Sequence, residues 1–219
     1  MAARTSCQVS PLFVTEKGLQ FGALLSATVF NSLLQQGNIM PFVRFLSESG
    51  DLGELMAREP ERYQPFVDFA QQVLTGRSEL SKGDREMLGA CVSALNQCAY
   101  CTGTHAAIAK AHGIDASLVN ALVDDFDNAS IDQKMRPLLH YARKVTEEPF
   151  RLTQADADAI LAVGWSEQTV SDVVAIAALF AMANRLVDGH GIQALPPAMN
   201  DLVGERVAGQ GYAIPKDGH

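Results

Sequence analysis

The chain has 219 residues, enough for one large domain or two small ones with a buried core, and its 47% hydrophobic and 19% charged residues are ordinary for a folded soluble protein. Its formal net charge is -8 and it has no basic cluster, which argues against binding to nucleic acids or to anionic membrane surfaces. No signal sequence is visible at the start, and the most apolar run, residues 173–183, is about half the length of a membrane-spanning helix. We therefore expect a cytoplasmic protein.

The apolar residues recur with a helical period nearly throughout, and the alternation typical of strands is missing, so the pattern predicts an all-α fold. In chain order, the predicted helices cover about residues 19–35, 40–47, 52–58, 63–74, 82–95, 98–112, 116–123, 132–147, 154–163 and 167–188. Beyond residue 196 the chain is rich in glycine and looks irregular. We expect a single helical domain over 1–219, with arms at about 1–20 and 196–219.

The stretch CAYCTGTH, residues 98–105, carries the strongest chemical signal. At about 100° per residue, Cys98, Cys101 and His105 point to the same side of a helix. The first turn of a helix presents free N–H groups and the positive end of the dipole, which stabilise a thiolate. A histidine one turn away can accept the thiol proton, and the CxxC spacing permits an intramolecular disulfide. The stretch therefore has the parts of a dithiol redox centre.

Three other interpretations of the same residues compete with this one. Attachment of a c-type haem requires histidine directly after the second cysteine, where Thr102 stands. A zinc site usually has four ligands, and the two cysteines and the histidine supply three, to which His112 or Glu86 could be added. The third interpretation is two core cysteines beside a structural histidine. Cys91, in an apolar helical stripe, is expected to be a core residue.

Glu86 lies twelve residues before Cys98 and shares a helical face with Gly89, Ala90 and Ser93. Small side chains allow a neighbouring helix to approach closely. We expect the helix that begins at Cys98 to fold back and bring the Glu86 carboxyl group near the cysteine face. The alternative is a solvated first-turn glutamate that complements the helix dipole.

The segment SKGDREMLGACVSALNQCAYCTGTHAAIAKAHG resembles the core of the alkylhydroperoxidase D (AhpD) family, within the carboxymuconolactone decarboxylase superfamily. The family pattern is a glutamate, eleven residues and then C-x-x-C-x-x-x-H, and it is matched by Glu86, Cys98, Cys101 and His105. The segments ASIDQKMRPLLHYARKVTEEP and ALFAMANRLVDG are similar to those of the peroxidase-related branch. The resemblance covers roughly residues 40–190.

The resemblance implies an AhpD-like helical bundle that forms homo-oligomers and works as an antioxidant thiol peroxidase on organic hydroperoxides, with no cofactor and no metal. It implies that Cys101 attacks the peroxide, that Cys98 resolves the sulfenic acid as a disulfide, and that Glu86 and His105 form a proton relay. A small dithiol of lipoyl or thioredoxin type would then reduce the disulfide. Exposed apolar helix faces also favour self-association, as a dimer, trimer or hexamer.

Position 100, between the cysteines, is a histidine in well-characterised members and a tyrosine here. A phenol can donate a hydrogen bond but is a poor base at neutral pH, so Tyr100 is expected to be a weaker relay group. The start of the helix by itself favours Cys98 as the more acidic thiol, whereas the resemblance assigns the first attack to Cys101. Two other functions stay open: a redox-sensing or zinc-binding protein without turnover, and a carboxymuconolactone decarboxylase-like enzyme.

Overall fold

The computed structural model describes residues 40–212, and its regular secondary structure there is entirely helical, which confirms the predicted fold class. The helices are α1 (Leu52–Arg58), α2 (Pro60–Thr75), α3 (Lys82–Leu95), α4 (Ala99–Ala111), α5 (Ala116–Asp124), α6 (Arg136–Glu147), α7 (Gln154–Ala162), α8 (Glu167–His190) and α9 (Pro197–Gln210), with a short 3₁₀ helix at Pro149–Arg151. The predicted helix at 19–35 and the predicted N-terminal arm lie outside the described residues.

Several helices begin where the sequence places a capping side chain. Ser81 and Asp84 form a capping box at the start of α3, in which each side chain bonds the backbone N–H of the other residue. Asp51, Asp115 and Ser166 accept from backbone N–H groups in the first turns of α1, α5 and α8. These polar residues fix where α1, α3, α5 and α8 begin.

Helix α3 lies at the centre of the described fold and contacts α4, α5, α6 and α8. Nearly all of its residues between Gly83 and Ser93 are buried, including the charged side chains of Arg85 and Glu86. The Arg85 guanidinium donates to the backbone carbonyls of Val73 and Gly76 at 3.0 Å and so satisfies the end of α2. Glu86 has no such structural partner on α2, and its contacts are described with the site.

Helix α8 packs against α3, and its Val173, Ile176 and Phe180 are buried in the core that the two helices share. The helix has 24 residues, more than the apolar run that the sequence displays. By length and composition alone it could cross a membrane, a criterion that the core helix of a soluble protein also meets. In the described structure 44% of its most apolar window is buried among the other helices.

One predicted helix does not form, and another begins later than predicted. Residues 40–47 form turns, because their polar groups bond to other elements: the Phe42 N–H donates to the His190 carbonyl at 2.9 Å, and the Ser47 hydroxyl donates to Glu54 at 2.6 Å. Helix α6 begins at Arg136 and not at Asp132, whose carboxylate instead accepts the Lys134 N–H at 2.7 Å in a local turn.

The C-terminal arm predicted from residue 196 is wrong as far as the structure describes it. Pro197 opens α9, which runs to Gln210 and packs along α4. The two helices approach closely because Gly204 has no side chain: a Cβ there would lie 2.7 Å from the Ala107 carbonyl oxygen. The small residues that make this contact give α9 little apolar periodicity, so the sequence pattern did not reveal it.

Candidate active site

A tight turn between α3 and α4 sets the position of the first cysteine. Gln97 adopts a left-handed conformation (φ 61°), its N–H bonds the Ala94 carbonyl at 2.9 Å, and the Cys98 N–H bonds the Ser93 carbonyl at 3.0 Å. This pair of bonds is a Schellman motif, which ends α3. Cys98 is then the N-cap residue of α4, as the sequence predicted to within one residue.

Both sulfur-bearing side chains are enclosed. Cys98 is 0% and Cys101 1% exposed, and both are free cysteines. They belong to a cluster of buried apolar residues that we call the sulfur pocket, made by Leu46, Leu55, Met56, Tyr63, Val67, Tyr100, Ala183, Val187 and Ile192. A reagent reaches these sulfurs only if the packing around them opens.

The two thiols are hydrogen-bonded to each other, and this bond makes them unequal. The bond from Cys101 lowers the pKa of Cys98, outweighing burial and the nearby Asp188 carboxylate, which both raise it. The same bond, together with burial, raises the pKa of Cys101, while the Asn184 side chain opposes this rise. In the resting pair, Cys98 therefore loses its proton first, as its place at the start of the helix suggested.

Asn184 of α8 is a buried polar residue at the cysteine site. It is 1% exposed; its amide donates to the Ser93 hydroxyl at 3.1 Å, and its carbonyl accepts from Asn96 at 2.9 Å. Together with its bond to Cys101, these contacts tie α8 to both sides of the turn before α4. Sequence reasoning missed Asn184, although a lone amide inside an apolar helix was an available signal.

The structure brings Glu86 and His105 into contact, and we call these two residues the acid–base pair. Glu86 is 1% exposed, and its Oε2 lies 2.7 Å from Nδ1 of His105. The ring of His105 meets the edge of Phe180 at a centroid distance of 4.4 Å, and a Cβ on Gly89 would lie 2.3 Å from the same Phe180 ring. The small-residue face of α3 thus admits an aromatic ring from α8 that supports the imidazole.

A third group joins this pair from the end of the described chain. The hydroxyl of Tyr212 donates to Oε1 of Glu86 at 2.6 Å and lies 3.3 Å from Nδ1 of His105. Burial and the Glu86 carboxylate hold the pKa of Tyr212 well above its usual range, and a thiolate at Cys101 would raise it further. Cys101 is therefore within electrostatic range of the Tyr212 hydroxyl. Nothing in the sequence around residue 212 indicated this role.

Tyr100 lies elsewhere than its expected relay role requires. Its side chain is buried beside Asp51 and the backbone of Leu52, and its pKa is raised mainly by that burial. Among the described hydrogen bonds, none joins Tyr100 to Glu86 or His105, so these contacts place it in the wall of the sulfur pocket.

The remaining candidates are structural or distant. Cys91 is a core residue, as predicted, and burial raises the pKa of its thiol to about 12. Within residues 40–212, no group of three or more His, Cys, Asp or Glu side chains is arranged to hold a metal ion. A surface cleft of about 660 Å³ lies between α6 and α7, lined in part by Arg136, His140 and Lys144, and none of the residues that line it belongs to the cysteine site.

The comparisons with known proteins agree with this fold. The model of the carboxymuconolactone decarboxylase family matches residues 60–125, a span that includes both cysteines, Glu86 and His105. An uncharacterised peroxidase-related protein from Ralstonia eutropha JMP134, described as an alkylhydroperoxidase AhpD core, is 26% identical, with a TM-score of 0.64 over 69% of this chain and 78% of that one.

Two further solved structures are similar. A peroxidase-related protein from Silicibacter sp. TM1040 is 24% identical over 80% of this chain and 85% of that one, with a TM-score of 0.64. The debrominase Bmp8, solved in complex with 2,3,4-tribromopyrrole, is 17% identical over 92% of this chain and all of that one (100%), with a TM-score of 0.60. At these identities the two likenesses concern the fold. A search of the curated proteins found no match.

Proposed function

Because the chain belongs to the AhpD-like carboxymuconolactone decarboxylase superfamily, we propose that it is a thiol-dependent peroxidase that reduces organic hydroperoxides through a dithiol–disulfide cycle. The observation that carries the proposal is a pair of free, mutually hydrogen-bonded cysteines at the start of α4, on the helix that also bears a carboxylate-bound imidazole. These are the sulfur, base and second sulfur that such a cycle needs.

In the proposed cycle, the Cys101 thiol transfers its proton to His105, whose other ring nitrogen faces Glu86. The Cys101 thiolate attacks one peroxide oxygen, the O–O bond breaks, and the leaving alkoxide takes the proton from His105 to become an alcohol. The Cys98 thiolate then attacks the resulting sulfenic acid, so that an S–S bond forms and an S–O bond breaks. The released hydroxide takes up one proton and leaves as water, and two thiols have been oxidised for one hydroperoxide reduced.

The choice of Cys101 as the attacking sulfur rests on the resemblance and on its place one helical turn before His105. The pKa directions describe the resting pair, in which the first proton leaves from Cys98. The two statements are compatible, because the shared hydrogen bond allows the negative charge to pass from one sulfur to the other. Trapping the sulfenic acid in variants that lack one cysteine shows which sulfur attacks the peroxide, independently of which thiol loses its proton first.

The apolar lining of the sulfur pocket supports an organic substrate. Once the packing opens, the apolar residues of the sulfur pocket, among them Leu55, Met56 and Val187, would favour an alkyl or aryl group over bulk water. A small dithiol, lipoyl-type or thioredoxin-type, is the proposed reductant. We also propose a cytoplasmic location and homo-oligomeric assembly.

The decisive experiment is a thiol titration before and after one equivalent of cumene hydroperoxide. We expect two thiols to be lost per chain, with mass spectrometry locating a Cys98–Cys101 disulfide. Cys98→Ser should accumulate a dimedone-reactive sulfenic acid at Cys101, and Cys101→Ser should consume hydroperoxide at the blank rate. Sulfenic acid at Cys98 in the Cys101→Ser variant would instead make Cys98 the attacking sulfur.

Three outcomes would replace the proposal. If wild type and both serine variants consume hydroperoxide only at the blank rate, the peroxidase function is wrong and a sensing or zinc-binding role without turnover takes its place. One zinc per chain in protein prepared without chelators, lost in His105→Ala, would identify the metal-binding alternative. Lactone decarboxylation that survives loss of both cysteines would identify the decarboxylase-like alternative.

A further inference from the structure

Each carboxylate oxygen of Glu86 has its own hydrogen-bond partner. Oε2 faces Nδ1 of His105 at 2.7 Å, and Oε1 accepts the Tyr212 hydroxyl at 2.6 Å. The Tyr212 and His105 rings are nearly parallel, at 17°, with centroids 6.1 Å apart. A side chain from the end of the described chain thus completes the acid–base pair, 126 residues after the carboxylate that it binds.

The backbone around Tyr212 is held in place by contacts that position this hydroxyl. Helix α9 is fixed along α4 by the close contact at Gly204 and by a bond from the Thr104 hydroxyl to Asn200 at 3.1 Å. Gly211 then turns the chain with a φ of 74°, a conformation that favours glycine. After the turn, the Tyr212 N–H donates to the side-chain oxygen of Gln71, on α2, at 2.7 Å. Both the peptide and the phenol of Tyr212 are therefore anchored.

Four charged or titratable groups from three helices act on the phenol. Glu86 from α3 and Cys101 from α4 disfavour its ionisation, Arg206 from α9 favours it, and His105 from α4 lies against the hydroxyl. Since the balance raises the pKa of Tyr212 well above its usual range, the hydroxyl stays protonated near neutral pH and acts as a donor. A donor on Oε1 holds the plane of the Glu86 carboxyl group in place.

We propose that Tyr212 is a positioning residue of the redox site, whose hydroxyl holds the Glu86 carboxyl group directed at Nδ1 of His105. With Nδ1–H donated to Glu86, Nε2 of His105 is the nitrogen that accepts the thiol proton. Tyr212 touches no sulfur and no substrate in this role; it acts through Glu86. The inference rests on the proposed function for its role in turnover, but the reactivity of the thiols tests it separately.

The test compares Tyr212→Phe, which removes only the hydroxyl, with Tyr141→Phe on α6 as the matched control. The first measurement is the pH profile of thiol modification by methyl methanethiosulfonate, with each cysteine followed by mass spectrometry. The second is the pH profile of single-turnover oxidation by cumene hydroperoxide. Without the donor on Oε1, the Glu86 carboxyl group is free to turn away from Nδ1 of His105, so we expect both pH profiles to change in Tyr212→Phe, with lower rates where His105 acts as the base.

At neutral pH we expect single-turnover oxidation to slow about tenfold, the size expected when one hydrogen bond to a charged group is lost. Tyr141→Phe should keep the wild-type profiles. Gln71→Ala, which removes only the anchor of the Tyr212 N–H, should change both profiles in the same way by a smaller amount. It also serves as the second variant should Tyr212→Phe fail to give the wild-type circular dichroism spectrum.

Profiles of folded Tyr212→Phe that superimpose on wild type in both measurements would overturn the inference. So would an unchanged profile in Gln71→Ala if Tyr212→Phe does not fold. A shifted thiosulfonate profile in a protein whose wild type does not reduce cumene hydroperoxide would support the role of Tyr212 and refute the proposed function. Failure of the inference about Tyr212 can thus be distinguished from failure of the proposed peroxidase function.

Discussion

The site has two halves that the chain assembles in different ways. The sulfur half is local, because Cys98 and Cys101 lie on one helical turn and a single backbone turn at Gln97 sets their position. The acid–base half combines Glu86 from α3, His105 from α4 and Tyr212 after α9, which are far apart in sequence. The spacing of the two sulfurs is set by α4 and the turn before it, whereas the acid–base half needs three packed elements to bring its groups together at all.

This difference implies that the two halves respond differently to perturbation. A change in packing between helices should displace the carboxylate, imidazole and phenol from one another while leaving the two sulfurs at their spacing. A change in the turn before α4 should act on the sulfurs first. Substitutions that separate these responses test whether the halves are independent, and the largest effect is expected at the buried carboxylate.

Glu86→Gln removes the charge of the acid–base half and keeps its shape. If Glu86 supports proton transfer by His105, single-turnover oxidation by cumene hydroperoxide should slow by about 100-fold, the lower range for loss of general acid–base catalysis. Glu147→Gln, at an exposed carboxylate that pairs with Arg143, is the control and should react at the wild-type rate. A rate within twofold of wild type in Glu86→Gln would remove Glu86 from the relay.

The second effect, on stability, tests the packing that supports His105. In Gly89→Ala the new Cβ would lie 2.3 Å from the Phe180 ring, which contacts the His105 ring. We expect a loss of about 2 kcal/mol in the free energy of unfolding, since overpacking a filled core costs about 1–3 kcal/mol. Urea denaturation measures this loss.

Gly189→Ala is its matched control, because Gly189 also lies in a helix and a Cβ there meets nothing within 4 Å. Replacing a helical glycine by alanine should stabilise by up to about 1 kcal/mol. Equal effects of the two substitutions would show that the contact between Gly89 and Phe180 is not tight, and that the acid–base half does not depend on it.

The sequence predicted the fold to the extent that local signals determine it. Capping side chains such as Ser81 and Asp115, and apolar residues at helical spacing, placed the helices from α1 to α8. The segment at 40–47 was misjudged because its polar groups bond to α8 and α1, which no local pattern reveals. Helix α9 was missed because it docks through small residues such as Gly204 and carries no apolar stripe.

The site, like the fold, could be predicted as far as local sequence signals determine it. Cys98, Cys101 and His105 could be placed on one helix face from their spacing, and the face of small residues around Glu86 indicated a close helix contact. Tyr212 was out of reach, because its role depends on the packing of α9 and on the turn at Gly211. The sequence pointed to Tyr100 as the nearby phenol, and the structure places Tyr212 on the acid–base pair instead.

The third prediction concerns the inequality of the two thiols. The pKa of Cys98 is lowered and that of Cys101 is raised, so as pH rises Cys98 becomes a thiolate below the ordinary cysteine value of about 8.5 and Cys101 only above it. At pH about 7.5, limiting methyl methanethiosulfonate should modify Cys98 about tenfold faster than Cys101, because the thiolate is the nucleophile.

Peptide mapping by mass spectrometry measures this ratio. The preference should persist in Glu86→Gln, because it arises from the hydrogen bond between the sulfurs and not from the carboxylate. Equal modification of the two cysteines, or faster modification of Cys101, would contradict the assignment of the resting proton. Loss of the preference only in Glu86→Gln would show that the two halves are coupled more strongly than their assembly suggests.

The smallest effect is expected at the turn that positions the sulfur half. Gln97 holds a left-handed conformation (φ 61°) that costs a non-glycine residue about 1 kcal/mol, so Gln97→Gly relieves this cost but adds freedom to the unfolded chain. We expect a net gain of about 0.5 kcal/mol in the free energy of unfolding by urea denaturation. If the Schellman bonds alone set the turn, the modification ratio of the two cysteines should stay at its wild-type value. A stabilised protein with an altered ratio would show instead that Gln97 itself helps to hold the sulfurs in place, and the sulfur half would then depend on more than the backbone of one turn.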